Sequence, residues 1–150
     1  MKIILVRHGK AVDRGLIPDT ERPLTAEGIS EWREEAKELV QYIQDEKLKV
    51  QICSSFLLRA VQTAQILAEQ LEAERVDFYS FLGNGNFQSL LSAIDSMQDC
   101  TPIFVGHEPF LSYWVQGLIG EDYRIKKGAS LVIDLDTKEI IFARRAKPLE

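Results

Sequence analysis

The chain has 150 residues, a formal net charge of -5, 45% hydrophobic residues and 27% charged residues. These values describe one ordinary globular domain, residues 1–150, long enough for a substantial core. The acidic balance argues against nucleic acid as a partner, because the only basic tract is the short Arg144-Arg145-Ala146-Lys147. No apolar run reaches membrane-spanning length, and Ile3–Val6, interrupted by Arg7, is too short for a signal peptide. Cys53 and Cys100 are too few for a disulfide framework, so a cytoplasmic protein without membrane association is expected.

Ile3-Ile4-Leu5-Val6 reads as a strand buried on both faces, ending at Arg7-His8-Gly9. A long polar connection, Lys10 to Arg22, follows; connections of that length are often functional. Thr25 is placed to cap a helix, with Glu27 in its first turn. Ile29, Trp32, Ala36, Leu39, Val40 and Ile43 form an apolar stripe along that helix. Glu31, Glu34, Glu35 and Lys37 are expected on its solvated face.

Val50 to Cys53 predicts a second strand, and Ser54-Ser55 leads into a helix from Phe56 to Leu71 with Ser55 as its N-cap. Val76 to Tyr79 predicts a short strand, and Gly83-Asn84-Gly85-Asn86 a loop. Asn86 is positioned to cap a helix from Phe87 to Met97. Thr101 to Val105 is another buried strand, followed by Gly106-His107-Glu108, and Pro109 suits the first position of a helix to about Ile119. Ser130 to Leu135 and Glu139 to Arg144 predict an antiparallel hairpin turned at Asp136-Thr137-Lys138. The alternation implies a three-layer α/β/α sandwich: a mostly parallel sheet with an antiparallel C-terminal hairpin.

Ligands of such sheets bind beyond the carboxyl ends of the strands. Arg7-His8-Gly9, Ser54-Ser55 with Arg59, and Gly106-His107 all follow strands. If those strands are parallel neighbours, two arginines and both histidines of the chain share one edge. Two guanidinium groups suit a phosphoryl dianion, and helix N-termini near Ser55 and Pro109 would add N–H donors. His8 could attack phosphorus, and a protonated His107 could stabilise the equatorial oxygens. Nearby arginines should keep the His8 ring unprotonated.

Val6-Arg7-His8-Gly9, Arg22-Pro23-Leu24-Thr25-Ala26-Glu27-Gly28, Ser54 to Ala64 and Val105 to Pro109 resemble, in this order, the motifs of the histidine phosphatase superfamily. The compact length and the Arg-Pro-Leu-Thr start of the first helix look most like its SixA branch, the bacterial phosphohistidine phosphatases. The resemblance implies a phosphoglycerate-mutase-like fold, with His8 as nucleophile and Arg7, Arg59 and His107 around the phosphate. Arg22 is implied at the pocket mouth. It also implies a metal-independent, cofactor-free hydrolase, expected as a monomer, acting on a phosphohistidine-bearing phosphotransfer domain or phosphocarrier. Two departures stand out. Ser54-Ser55 replaces the family's frequent Ser-Pro, and Phe78 to Ser92 holds no carboxylate to act as general acid. Phosphohistidine, with a labile P–N bond, needs such an acid less than an alcohol leaving group does.

Other readings stay open. The histidines and cysteines could bind metal, although no zinc spacing is present. The arginines could serve a non-catalytic phosphate-binding module, or the site a small-molecule phosphomonoesterase or a mutase-like transferase. Glu108 could donate a proton, but the start of the following helix is the more natural place for its carboxylate.

Overall fold

The computed structural model describes residues 1–149. A six-stranded sheet runs in the order β3-β2-β4-β1-β5-β6. Its strands are β1 (Lys2–Arg7), β2 (Val50–Ser54), β3 (Asp77–Phe78), β4 (Thr101–Gly106), β5 (Tyr123–Asp134) and β6 (Glu139–Pro148). The first four are mutually parallel, β5 runs antiparallel to β1, and β6 antiparallel to β5.

Side-chain alternation along β1 explains the layering. Ile4 and Val6 pack on one face with α1 (Ala26–Asp45) and α2 (Leu58–Leu71). Ile3 and Leu5 pack on the other with α3 (Phe81–Asn84), α4 (Phe87–Ser96) and α5 (Phe110–Ile119). Both faces of β1 and β4 are covered, so these strands are apolar almost throughout. This is the expected α/β/α sandwich with an antiparallel hairpin.

Thr25 and Asn86 cap their helices as expected, accepting from Gly28 N at 2.9 Å and Ser89 N at 3.0 Å. Such caps contribute about 1 kcal/mol each. The α1 stripe is buried, and Trp32 donates its indole N–H to the Thr63 carbonyl at 2.9 Å. Full burial of side chains such as Leu39 and Ile43 contributes roughly 1.5–3 kcal/mol apiece.

Several boundaries differ from expectation. α2 begins at Leu58, and Leu57 occupies the cap position without a side-chain bond. Ser55 is therefore not the N-cap; its hydroxyl is engaged elsewhere. The Gly83-Asn84 stretch closes a short helix rather than an open loop, because Gly85 takes φ 78° and ends it. Pro109 sits one residue before α5. Glu35 is not purely solvated: it pairs with Arg144 of β6 at 3.0 Å. The hairpin is longer at its open end, where pairing continues to Tyr123 and Pro148 beyond a break between Ile125 and Ser130, while β5 stops at Asp134, one residue before the expected Leu135. Among the described residues no helix is long and apolar enough to cross a membrane.

α1 leaves β1 on one face of the sheet, and α5 leaves β4 on the other. β1 and β4 are adjacent, so the crevice between their carboxyl ends is a topological switch point, where sheets of this kind bind ligands.

Candidate active site

Arg7 pairs with Gly106 in the β1–β4 register, so the next residues, His8 and His107, emerge side by side. Their ring centroids lie 5.0 Å apart, and both side chains are buried. The β2–β4 register, Ser54 against Val105, delivers Ser55 to the same level.

The His8 backbone is fixed from both sides. Its N–H donates to Gly106 O at 3.2 Å, and its carbonyl accepts from Gly128 N at 3.0 Å. In the ring, Nδ1–H donates to the Gly9 carbonyl at 2.7 Å. That carbonyl selects the tautomer and leaves Nε2 with a free lone pair. Gly9 is held in turn: its N–H donates to Thr63 Oγ1 at 3.1 Å, while the Thr63 hydroxyl donates to Arg59 O at 2.8 Å. Burial, aided by Arg59, Arg7 and Lys127 and opposed by the Gly9 carbonyl, pushes the His8 pKa down to about 4. The ring is thus neutral and nucleophilic at neutral pH.

His107 is also neutral there. Burial first, then His8 and Arg59, push its pKa down to about 3. Its Nε2 lies 2.7 Å from Ser55 Oγ, and its Nδ1 is buried without a hydrogen-bond partner among the described residues.

The guanidinium groups stand around the rings. Arg7 donates from NH1 to Ile125 O at 2.9 Å. Arg59, in the first turn of α2, donates from NH1 to Asp19 O at 2.8 Å, and its NH2 lies 3.4 Å from Asp19 Oδ2. The Nε atoms of both arginines are buried and have no partner among the described residues. Arg7, His8, Arg22, Arg59, His107 and Lys127 line a cavity of about 290 Å³, together with Ala11, Asp13, Arg14 and Glu108. A bare imidazole nitrogen inside such a cationic cup can attack phosphorus, while the cations neutralise the oxygens.

The family model of the histidine phosphatase superfamily (branch 1) matches residues 3–84. The chain belongs to this superfamily. The matched span carries Arg7, His8, Arg22 and Arg59; the fold adds His107, the residue that follows β4. An uncharacterized protein from Picosynechococcus sp. is 32% identical, covering 85% of this chain and 81% of that protein. Among solved structures, one described as phosphohistidine phosphatase SixA from Agrobacterium tumefaciens has a TM-score of 0.81 at 22% identity, covering 95% of this chain and 96% of that one. A SixA protein histidine phosphatase complexed with tungstate gives 0.77 at 22% identity, covering 97% of each chain. A phosphoserine phosphatase from Entamoeba histolytica in complex with phosphoserine gives 0.71 at 18% identity, covering 95% of each. These likenesses establish a phosphoglycerate-mutase-like histidine phosphatase fold.

Within this superfamily site, Arg22 is at the cavity wall, but its bonds are to the loop. It donates from Nε to Asp19 Oδ1 at 3.0 Å and from NH1 to Val12 O at 2.7 Å. Glu108 accepts from Ser112 N at 2.8 Å and from the Ser112 hydroxyl, so its carboxylate faces the start of α5. The expected anion-binding donors at that helix start are therefore partly taken.

Sequence reasoning missed four groups: Lys127, Arg14, Asp13 and Asp19. Lys127 enters because β5 starts at Tyr123 and breaks register before Ser130. The alternation of Tyr123 and Ile125, followed by Gly128 at φ 76°, was the available signal. Arg14, Asp13 and Asp19 lie in the long polar connection, where no periodicity reports position. Cys53 is a core residue of β2 whose thiol is pushed up to about 12, chiefly by burial. No cluster of three or more His, Cys, Asp or Glu side chains among the described residues is placed to hold a metal ion.

Proposed function

We propose that this chain is a phosphatase that removes phosphate from phosphohistidine in a protein, through a covalent phosphohistidine on His8. The observation that carries the reading is the free Nε2 of His8, with Nδ1 pinned by the Gly9 carbonyl, facing the cup of Arg7 and Arg59. In the first step His8 Nε2 forms a bond to phosphorus while the P–N bond of the substrate breaks. The departing imidazole leaves neutral, because its ring enters protonated. Water then attacks phosphorus, the bond to His8 breaks, and inorganic phosphate departs. Arg7 and Arg59 bind the phosphoryl oxygens throughout, His107 donates to one of them, and Arg22 holds the loop at the mouth. No metal or cofactor enters these steps, and residues 1–150 act as one domain.

The partner is a phosphotransfer domain or phosphocarrier; the names of the SixA neighbours support the phosphohistidine it would carry. A substrate with a good leaving group suits a site in which Glu108, a carboxylate of the cavity wall, is committed to Ser112. A second reading, a small-molecule phosphomonoesterase, draws on the phosphoserine-bound neighbour and on Asp13 at the cavity wall. The discriminating experiment offers a phosphohistidine protein, a sugar phosphate and an aryl phosphate in parallel without added metal. Fastest phosphate release from the phosphohistidine protein supports the first reading. Faster release from the sugar phosphate replaces it with the second.

A further inference from the structure

The two histidines differ in which ring nitrogen the protein occupies. His8 uses Nδ1, on the Gly9 carbonyl. His107 uses Nε2, on the Ser55 hydroxyl. A hydroxyl has one proton to give and two lone pairs to receive. One lone pair of Ser55 Oγ accepts Leu57 N–H at 3.3 Å. Ser55 is fully buried, and among the described residues its hydroxyl proton has no acceptor but His107 Nε2. The opposite arrangement, with His107 donating, would put two donors on one oxygen and strand that proton in the interior. The backbone cannot relax to avoid this, because Ser55 N donates to Val105 O at 3.2 Å and ties the residue to β4.

We infer that Ser55 is a positioning residue: its hydroxyl donates to His107 Nε2 and so holds His107 as the neutral Nδ1–H tautomer, keeping an N–H donor for a phosphoryl oxygen. Both rings then carry the same tautomer with opposite ends free. His8 offers a lone pair to phosphorus, and His107 offers a proton to oxygen. The free Nδ1 of His107 is buried, on a ring packed 5.0 Å from that of His8. A buried donor with no partner among the described residues, on a side chain that lines a cationic cavity, is matched to an anionic acceptor. His107 thereby contributes a hydrogen bond without gaining charge, which its surroundings oppose. The inference rests on the phosphate-site reading for its ligand, but not on which phosphate compound is turned over.

The chain has only two histidines, so nitrogen-15 NMR of the imidazoles resolves both. The full-length protein at neutral pH is expected to show Nδ1–H on each ring. Adding inorganic phosphate should move the His107 Nδ1–H proton downfield. Ser55→Ala should return His107 to a mixture of tautomers and lower kcat at least about tenfold, while His8 keeps its tautomer. Ser55→Cys, with a weak donor of similar size, should fall between the two. Nε2–H on His107 in the unaltered protein overturns the inference, as does a Ser55→Ala protein with unchanged tautomer. A protein with the expected tautomers that spares phosphohistidine but cleaves another phosphate compound upholds it and removes only the narrower function.

Discussion

Arg59 holds Asp19 by both its backbone carbonyl, at 2.8 Å, and its carboxylate, at 3.4 Å. The same carboxylate also takes Arg22 at 2.9 Å and lies 3.7 Å from Arg14. A loop carboxylate thus occupies part of the cationic surface that a phosphate would need. Asp19→Asn is expected to bind inorganic phosphate several-fold more tightly, because one competing negative charge is gone. Calorimetric titration with phosphate checks this. Weaker binding in the variant would mean that Asp19 orients Arg59 rather than competing for it.

His8→Ala is expected to abolish turnover while phosphate still binds, since Arg7, Arg59 and His107 remain. Rapid quench with a radiolabelled phosphohistidine protein should trap acid-labile label on the unaltered chain and none on the variant. Labelling that survives the substitution would place the nucleophile elsewhere.

Both histidine pKa values lie below that of a free imidazole, so acid weakens the fold. A ring with an unfolded pKa of 6.5 and folded values of about 4 for His8 and about 3 for His107 binds more protons when unfolded. Stability from these rings is therefore fully present above pH 6.5 and is lost as pH falls toward 4 and then 3. His8→Gln and His107→Gln should each flatten the fall in melting temperature between neutral and acid pH. For catalysis, the acid limb of kcat/KM is expected near pH 4 rather than 6.5, because that limb follows the free enzyme.

Thr63 links three parts of the site through Gly9 N, Arg59 O and the Trp32 indole. Thr63→Val keeps the shape but strands the buried Gly9 N–H. A stability loss of about 1–3 kcal/mol is expected, with a further drop in kcat because Gly9 carries the carbonyl that orients His8. Denaturant unfolding and steady-state kinetics separate the two effects.

Gly28 lets α1 approach the loop after β1. A Cβ there would sit 2.1 Å from the Lys10 carbonyl oxygen, a backbone atom that cannot swing aside. Gly28→Ala is expected to cost about 1–3 kcal/mol through that overlap, with a lower melting temperature. An unchanged melting temperature would show that the loop yields freely.

Local patterns in the chain are enough to give the layers and to name the candidate site residues. Period-two burial along β1 and helical periodicity along α1 are local signals, and each names the face that must be covered. Arg7, His8, Arg59 and His107 were legible because each follows a strand that local pattern could identify. Which strands are neighbours, and with it that Arg7 and Gly106 share a rung, emerges only in the folded sheet. It also took Ser55 from a helix cap to the His107 ring, and brought Lys127 and Asp19 to the cup. Those placements depend on strand register and on a loop without periodicity. Both are settled by contacts between residues far apart in the chain, which no local pattern encodes.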